Sequence, residues 1–263
     1  MHFDEIAVGY DKARWEYPPE LYADIGAYRG VGAGRVALEI GAGTGKATAP
    51  MLTAGYEVTA VELGGNMADF LLGKFAGDNR FSVVVSAFEE AELAEDGYDV
   101  VYAASAFHWV DPEVGCPKVF RLLKSGGIFA LFRNNPDPVG GAEIHEALQA
   151  LYEEHYLSAY PNNVLPQKYD RLALAGSAEI KRGFGFSDME QYGFTDITMR
   201  FYKVTHTYDA QGYIALLETY ADHRGLPETN KAALYAGIEE VIERHGGVCH
   251  QDCLFQLYMG RKP

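Results

Sequence analysis

The stretch Val36-Ala-Leu-Glu-Ile-Gly-Ala-Gly-Thr-Gly45 decides the fold. Its first half, Val36–Ile40, is apolar except for one acid and predicts a buried strand. The glycines at 41, 43 and 45 predict a tight turn, because glycine adopts backbone angles that other residues avoid. A strand that turns at once into a helix opens a βαβ unit, so the stretch favours an α/β protein with a parallel sheet.

The same alternation continues on the C-terminal side of this stretch. Strands are predicted at 57–63, 81–86, 98–104 and 128–132, and helices at 44–54, 66–75 and 112–123. Short apolar strands that alternate with amphipathic helices predict a parallel sheet covered on both faces and wound right-handed. The predicted fold class is therefore α/β, with a doubly wound, Rossmann-like sheet.

An acidic residue stands at the end of the strand that follows the glycine turn. It is Glu62, 21 residues after Gly41, at the end of the predicted second strand. The carboxyl ends of neighbouring parallel strands meet at one edge of the sheet, where such folds bind ligands. A carboxylate in this place accepts hydrogen bonds from the 2′- and 3′-hydroxyls of a ribose. The pairing predicts a cofactor that contains a nucleoside.

The surrounding residues narrow the choice of cofactor. A dinucleotide fingerprint needs glycine at position 46, where Lys46 stands. A phosphate-binding P-loop needs glycine at position 40 and Ser or Thr at position 47, where Ile40 and Ala47 stand. Glu39 places an acid just before the turn, which suits a ligand with an amino group better than a pyrophosphate.

The second half of the chain departs from the alternation. Residues 134–193 are rich in Pro, Tyr and Gly and hold one clear helical pattern at 142–157. Strand patterns at 194–208 and 248–259 flank helical patterns at 210–223 and 228–245. These late strands predict a mostly parallel seven-stranded sheet with an antiparallel edge strand and a helical cap. We predict one overall domain, made of an N-terminal helical lid (1–35), a cofactor-binding core (36–134), an insertion or cap (135–193) and edge strands with inserted cap helices (194–263).

The charge balance argues against polyanionic partners. The 263 residues include 22 Lys and Arg against 37 Asp and Glu, a formal net charge of −15. Nucleic acid or an anionic membrane would need a dense basic surface, and the sequence contains no such run. No stretch approaches about 18 uninterrupted apolar residues, and Met1-His-Phe-Asp-Glu5 carries acids where a signal peptide has Lys or Arg. We predict a cytoplasmic protein with no nucleic-acid or membrane partner.

The three cysteines favour a reducing compartment rather than a disulfide framework. Cys116, Cys249 and Cys253 are sparse and odd in number. Cys249, His250 and Cys253 resemble a metal-binding cluster, but residues four apart in a strand are roughly 13 Å apart, too far for tetrahedral zinc. We predict no metal site.

The glycine loop resembles the S-adenosylmethionine loop of class I methyltransferases. Ala87-Phe-Glu89 after the third strand and Ser105-Ala-Phe-His-Trp109 after the fourth match further motifs of that family. Leu122-Leu-Lys-Ser-Gly-Gly127 resembles its L-L-K-P-G-G turn, with Ser125 in place of the common proline. Phe107-His108-Trp109 and the opening Tyr10-Asp-Lys-Ala-Arg14 are similar to small-molecule methyltransferases related to trans-aconitate methyltransferase.

The resemblance implies a set of cofactor-binding residues. Glu39 and the glycine loop would hold the methionine moiety, Glu62 the ribose, and residues after the second and third strands the adenine. The full set is Tyr10, Arg14, Glu39, Gly41, Ala42, Gly43, Gly45, Glu62, Leu63, Met67, Ala87, Phe88 and Ser105. Leu63, Met67 and Phe88 fit a packed core as well, and Arg14 fits an ordinary surface position.

The implied reaction is transfer of a methyl group to a small molecule, a carboxylate or another oxygen or nitrogen nucleophile, by in-line displacement. Alignment and desolvation supply most of the catalysis. A carboxylate needs no base at neutral pH, whereas an amine or phenol would use His108. Trp109, Arg133 and Tyr220 are the candidate substrate-binding residues, each with an alternative role in packing or local pairing.

Two other classes remain open. A non-catalytic S-adenosylmethionine-binding or regulatory module would keep the glycine loop but lack a formed pocket for a methyl acceptor. A nucleic-acid or protein N-methyltransferase is disfavoured by the charge, and Ser105-Ala-Phe-His108 stands where adenine-modifying relatives carry Asn/Asp-Pro-Pro-aromatic. The sequence predicts neither the methyl acceptor, nor the use of a base, nor the pathway, nor the oligomeric state.

Overall fold

A computed structural model describes residues 7–30, 35–165 and 188–263. The strands are β1 (Val36–Ile40), β2 (Glu57–Glu62), β3 (Phe81–Val85), β4 (Tyr98–Ala104), β5 (Leu123–Val139), β6 (Thr195–Tyr208) and β7 (Cys249–Arg261). The helices are α1 (Ala7–Ala13), α2 (Pro19–Arg29), α3 (Thr48–Thr53), α4 (Gly65–Lys74), α5 (Pro112–Leu122), α6 (Ala142–Leu151), α7 (Asp188–Gln191), α8 (Ala210–Leu217), α9 (Ala221–Arg224) and α10 (Glu228–Arg244). A short 3₁₀ turn covers Phe107–Trp109, and a π-helical turn, Tyr152–Tyr156, continues α6.

The seven strands form one mixed sheet in the order β3-β2-β1-β4-β5-β7-β6. The first five are parallel, and β7 runs antiparallel to both β5 and β6. The chain moves outward from β1 in one direction and then returns to β4 on its other side, so the strand order reverses between β1 and β4. The predicted doubly wound, seven-stranded sheet with an antiparallel edge strand is confirmed, since β6 lies at the edge and pairs antiparallel with β7. Sheets of this kind bind ligands at the point where the strand order reverses.

The central strands are buried on both faces. Neighbouring residues of β4 point to opposite sides, so Val100 packs in one hydrophobic cluster and Val101 in another. Leu21 of α2 joins the first cluster, and Val119 of α5 joins the second. A third cluster contains residues of α6, α8 and α10 together with Trp15, so these helices and the N-terminal segment form one cap.

The helix predicted from residue 44 starts later than expected. Gly41, Gly43 and Gly45 have φ angles of +67°, +55° and +77°, which no right-handed helix contains. The chain therefore turns through residues 41–47 before α3 begins at Thr48. The prediction of the turn was right, and the predicted helix start was wrong by one helical turn.

Strand β5 runs well beyond its predicted end at residue 132. It continues to Val139, although Pro136 and Pro138 lie within it. The extension exists because β7 pairs with it, with Arg133 opposite Gln256 and Asn135 opposite Leu254. The predicted break after residue 133 is wrong, and β5 crosses the predicted boundary between core and insertion.

Two predicted helices are divided. The pattern at 210–223 forms α8 and α9 with a break at residues 218–220, and the pattern at 142–157 changes from α- to π-helical after Leu151. Within the described residues, none of the helices has the length and apolar character to cross a membrane. The same residues contain no cluster of three or more His, Cys, Asp or Glu side chains arranged to hold a metal ion.

Candidate active site

A cavity of about 670 Å³ opens at the carboxyl ends of β1 to β4 and beside residues 133–135 of β5. The loops after the first four strands form most of its walls, and the segment between α1 and α2 closes one side. It brings together most residues predicted from the sequence, namely Arg14, Glu39, Gly41, Ala42, Gly43, Glu62, Leu63, Met67, Ala87, Phe88, Ser105, His108, Trp109 and Arg133. Gly45 and Tyr220 lie outside the lining, and the side chain of Tyr10 lies outside the described residues.

All three glycines of the turn have positive φ, and two of them, Gly41 and Gly45, also leave no room for a Cβ. A Cβ on Gly41 would stand 2.6 Å from the Cβ of Ala106, which follows β4. Gly45 packs closely against α4, since a Cβ there would stand 2.6 Å from the ring of Phe75 and 2.8 Å from Leu71. A Cβ on Gly43 would meet nothing within 4 Å, so its backbone faces open space at the cavity wall.

Glu39 presents a fully buried carboxyl to the cavity. Its side chain is 0% exposed, and Oε2 accepts hydrogen bonds from Thr48 Oγ1 at 2.5 Å and from the Tyr102 hydroxyl at 2.8 Å. Oε1 is buried without a hydrogen-bond partner. Burial raises the pKa of Glu39 to about 7, and the bonds from Thr48 and Tyr102 oppose the shift. A buried acceptor atom without a partner is costly, so this oxygen favours a ligand that brings a donor.

Glu62 holds the glycine turn as well as facing the cavity. Its Oε2 accepts the backbone N–H of Gly43 at 2.8 Å, and its Oε1 accepts the N–H of Gly64 at 2.9 Å. A carboxylate oxygen has two lone pairs, so each oxygen retains capacity for a hydroxyl donor. The carboxylate is therefore held in one orientation by the backbone at the place predicted for a ribose.

The predicted adenine residues divide into buried and exposed walls. Met67 of α4 and Phe88 after β3 are each 4% exposed, so they serve the core and the cavity together. Leu63 is 53% exposed, and a large apolar side chain left open beside a cavity suits the flat face of a ligand ring. Ala87 completes this wall.

Ser105 turns the chain at the end of β4. It is one of three described non-glycine residues with positive φ, at +53°. Its N–H donates to the Phe132 carbonyl at 2.7 Å, and its Oγ lies 2.8 Å from the Tyr17 hydroxyl. Tyr17 packs edge-on against the rings of Phe132 and Phe255 and also lines the cavity. Strained backbone at a cavity wall is typical of a functional site.

His108 and Trp109 lie on the 3₁₀ turn that follows β4. Their rings are 5.0 Å apart between centroids, and both residues line the cavity. Trp109 is 62% exposed, so its ring stands at the mouth. The structure therefore puts both predicted residues at the cavity, on a turn next to the strained end of β4.

Arg14 reaches the cavity from the N-terminal segment and is held by the cap. Its Nη2 donates to the Thr219 carbonyl at 3.2 Å, and its guanidinium lies 4.1 Å from the ring centroid of Tyr220. Tyr220 contacts Arg14 and does not line the cavity, and its predicted contact with substrate stays a prediction.

Arg133 lies on the β5 side of the cavity with two residues that sequence reasoning missed. Asn134 and Asn135 follow it on β5 and also line the cavity. Arg133 Nε donates to Gln256 Oε1 at 2.8 Å, and Asn135 Nδ2 donates to the same oxygen at 3.1 Å. Asn134 and Asn135 were missed because the sequence analysis placed them in the irregular region after the fifth strand rather than in the strand itself.

Further lining residues that the sequence analysis did not predict include Trp15 and Tyr17 of the N-terminal segment and Lys46 of the turn after β1. Lys46 Nζ forms an ion pair with Glu16 at 2.5 Å, which ties this turn to the segment between α1 and α2. The Trp15 indole donates a hydrogen bond to the Tyr208 hydroxyl on β6. No sequence motif marks these residues, because their partners are distant in the chain.

The acids and the arginines of the cavity lining come from different elements. The acids, Glu39, Glu62 and Glu89, come from the ends of β1 and β2 and from the loop after β3. The arginines, Arg14 and Arg133, come from the N-terminal segment and from β5, and the third cation, Lys46 of the turn after β1, is paired with Glu16. Among the described lining residues, the N-terminal segment and β5 contribute no carboxylate. The acids therefore suit a ligand with an amino group and hydroxyls, and the arginines suit an anion.

The fold and the cavity define a doubly wound α/β protein with a cavity at the point where its strand order reverses. A family model described as a methyltransferase domain matches residues 38–131. The chain is 33% identical over 245 residues to an uncharacterised methyltransferase-like protein of Schizosaccharomyces pombe, covering 92% of this chain and 86% of that one. It is also 36% identical over 137 residues to an uncharacterised methyltransferase of Mycobacterium tuberculosis. That match covers 52% of this chain and 54% of the relative, so it spans about half of each protein.

The chain therefore belongs to the S-adenosylmethionine-dependent methyltransferases of class I, and its cofactor is S-adenosylmethionine. Solved structures support the fold. A candidate type II methyltransferase from Anaeromyxobacter dehalogenans superposes with a TM-score of 0.66 at 19% identity, over 94% of this chain and 97% of that one. Phosphoethanolamine N-methyltransferase 2 of Haemonchus contortus, solved with S-adenosyl-L-methionine, superposes with a TM-score of 0.54 at 16% identity, over 99% and 57%.

Proposed function

We propose that the protein transfers the methyl group of S-adenosylmethionine to a small anionic molecule, a carboxylate or another oxygen or nitrogen nucleophile. The observation that carries the proposal is that one cavity is lined both by buried or backbone-anchored acids and by two arginines. The acids come from the ends of β1 and β2 and the loop after β3, whereas Arg14 and Arg133 come from the N-terminal segment and from β5. A volume of about 670 Å³ accommodates a cofactor and a small second molecule together.

The two acids and the apolar residues of the lining each have a proposed role in binding the cofactor. Glu39 Oε1, buried and without a partner, would accept a hydrogen bond from the amino group of the methionine moiety. Glu62, fixed by the N–H groups of Gly43 and Gly64, would accept both ribose hydroxyls. Leu63, Met67 and Phe88 would contact the adenine ring. These residues fit the cofactor because each contributes the chemistry that one part of it requires.

The methyl transfer itself needs little beyond alignment of the acceptor with the cofactor. S-adenosylmethionine supplies an electrophilic methyl group on a sulfonium, and the attacking atom must approach in line with the sulfur–carbon bond. A carboxylate is already ionised at neutral pH, so Arg14 and Arg133 would orient it without removing a proton. An amine or phenol would need a base, and His108 lies on the turn at the cavity wall.

The narrower resemblance to methyltransferases related to trans-aconitate methyltransferase also supports an acidic substrate. It rests on Phe107-His108-Trp109 and on Arg14 of the opening motif, and three of these four residues line the cavity. We place the protein in that small-molecule branch as part of the proposal. Methyl transfer to carboxylates tests both the branch and the anionic substrate.

The test is methyl transfer from radiolabelled S-adenosylmethionine to a panel of small mono-, di- and tricarboxylates, with amines and phenols as comparison. We expect product with at least one carboxylate, and loss of that product in the Arg133→Met variant while cofactor binding by calorimetry is unchanged. Methylation of amines alone would reject the anionic substrate. Cofactor binding without any product would favour the non-catalytic binding module instead.

A further inference from the structure

A buried amide underlies the β5 side of the cavity. Gln256 lies on β7, directly opposite Arg133 in the strand register, and is 0% exposed. Its Oε1 accepts hydrogen bonds from Arg133 Nε at 2.8 Å and from Asn135 Nδ2 at 3.1 Å. Its Nε2 donates to the Tyr258 hydroxyl at 2.8 Å. Both polar atoms of this amide are used inside the protein, although Gln256 itself does not line the cavity.

The orientation of this amide is fixed by its partners. Two N–H donors face Oε1, so a rotated amide would bring its own NH₂ group against both of them. Asn135 is fixed as well, because its Nδ2 also donates to the Leu254 carbonyl at 3.1 Å. Gln256, Asn135 and Tyr258 therefore form a neutral, hydrogen-bonded support for Arg133 on two paired strands.

The support constrains the guanidinium that faces the cavity. Guanidinium is planar, so a hydrogen bond at Nε sets both the position and the plane of the group. Arg133 also contacts the Tyr258 hydroxyl, which Gln256 holds from the other side. An arginine fixed before binding loses less side-chain entropy when an anion arrives, which strengthens binding.

We propose that Gln256 is a positioning residue that holds the Arg133 guanidinium at the methyl-acceptor end of the cavity and thereby sets the affinity for an anionic substrate. This inference rests on the proposed function. It adds a residue that lies outside the cavity and that acts only through Arg133. It also gives β7, inserted between β5 and the edge strand, a role in substrate selection.

The test compares Gln256→Met with a matched variant on the same strand. Methionine keeps the length of glutamine and removes the oxygen that faces Arg133. Gln251→Met is the control, because Gln251 is also a buried glutamine of β7 that donates to the β5 backbone, at the Asp137 carbonyl, but lies away from the cavity lining. Citrate is the anionic probe, titrated by calorimetry into protein saturated with S-adenosylhomocysteine.

We expect Gln256→Met to bind citrate about tenfold more weakly than wild type, the effect of about one hydrogen bond to a charged group, with unchanged affinity for S-adenosylhomocysteine. Gln251→Met should bind citrate like wild type. Gln256→Glu restores the oxygen that faces Arg133, so it should keep the arginine in place and yet weaken citrate binding, because it neutralises the positive charge. Equal citrate affinity in Gln256→Met and Gln251→Met would overturn the proposal.

A double-mutant cycle separates positioning from a merely structural role. If Gln256 acts through Arg133, then Gln256→Met has no further effect on citrate affinity in an Arg133→Met background. Additive losses would show that Gln256 acts by another route. Failure of wild type to bind citrate would count against the anionic substrate instead. The exchange rate of the Arg133 Nε–H, measured by NMR, would then still decide whether Gln256 holds Arg133, since removal of the partner must accelerate it.

Discussion

Glu39 carries a carboxyl to the fully buried end of β1, where an ionised acid is costly. Its three-dimensional environment provides two hydrogen bonds to one oxygen and none to the other. Burial outweighs these bonds, so the pKa rises from 4.5 to about 7. The sequence indicated an acid for an amino group. Its complete burial, which raises the pKa, appears only in the folded structure.

We predict that Glu39 makes the ligand-free protein less stable as pH rises. A raised pKa means that the folded state binds more protons than the unfolded state between 4.5 and about 7, so stability is present below this window and is lost as pH rises through it. Glu39→Gln lacks this titration. Its free energy of unfolding relative to wild type should increase by about 2 kcal/mol from about pH 5 to about pH 8, measured by urea denaturation. A difference that does not change with pH would contradict the buried, protonatable carboxyl.

Glu62 shows a carboxylate whose role the sequence indicated only in part. The spacing from Gly41 predicted a ribose contact, whereas the structure adds two backbone N–H donors, from Gly43 and Gly64. The same side chain thus shapes the turn and faces the ligand. Sequence reasoning missed the first role because a backbone N–H leaves no trace in residue identity.

We predict that Glu62→Ala weakens S-adenosylmethionine binding by about 1 to 3 kcal/mol, because the ribose loses a charged partner and the glycine turn loses its anchor. Calorimetric titration measures the change. Glu57→Ala is the matched control, since Glu57 is an exposed glutamate at the other end of β2. Unchanged affinity in Glu62→Ala would show that the ribose is held elsewhere.

At the scale of elements, the glycine turn and α4 fit together as one unit. Gly45 has φ +77°, and it leaves room for Leu71 and Phe75 at the end of α4. The sequence placed the turn correctly because glycine spacing is a local property. It placed the helix start wrongly because nothing local shows how long the turn continues before Thr48.

We predict that Gly45→Ala destabilises the fold by about 3 kcal/mol, from a strained backbone and from overlap with Leu71 and Phe75. Gly77→Ala isolates the backbone contribution, since Gly77 has φ +91° and an added Cβ there meets nothing within 4 Å. Its loss should be about 1 kcal/mol. Equal losses in urea denaturation would mean that α4 shifts to accommodate the methyl group.

The pairing of β5 with β7 could not be predicted from the sequence. Pro136 and Pro138 look like a break, because proline weakens a strand. The strand continues because β7 pairs with it through residue 139, and the register shifts between Pro136 and Val139. Arg133 was predicted as a site residue, but its support by Gln256 required a partner strand 123 residues away.

At the scale of the whole molecule, the cavity is assembled from distant segments. The N-terminal segment, the ends of four parallel strands and β5 all contribute to one space. The cap also holds the site from outside, since Thr219 and Tyr220 position Arg14. The formal charge of −15 is therefore compatible with an anionic substrate, because the local lining rather than the total decides what binds.

We predict that cofactor binding changes tryptophan fluorescence. The chain has two tryptophans, Trp15 and Trp109, and both line the cavity. A fluorescence titration with S-adenosylhomocysteine should saturate with the same dissociation constant as calorimetry. Trp109→Phe removes the tryptophan at the mouth and leaves the buried Trp15 as reporter. Emission that stays constant while calorimetry detects binding would place the cofactor away from this cavity.

The sequence by itself determined the doubly wound core and most of the residues that meet at the carboxyl ends of its parallel strands. Alternating strand and helix patterns, glycine spacing and the position of Glu62 are local properties, and parallel strands bring their carboxyl ends together whatever the rest of the chain does. Only the tertiary structure decided the remaining features of the site. They are the burial of Glu39, the length of β5, the contact of Tyr220 with Arg14 and the support of Arg133 by Gln256. All four depend on contacts between residues far apart in the chain, and such contacts have no local pattern.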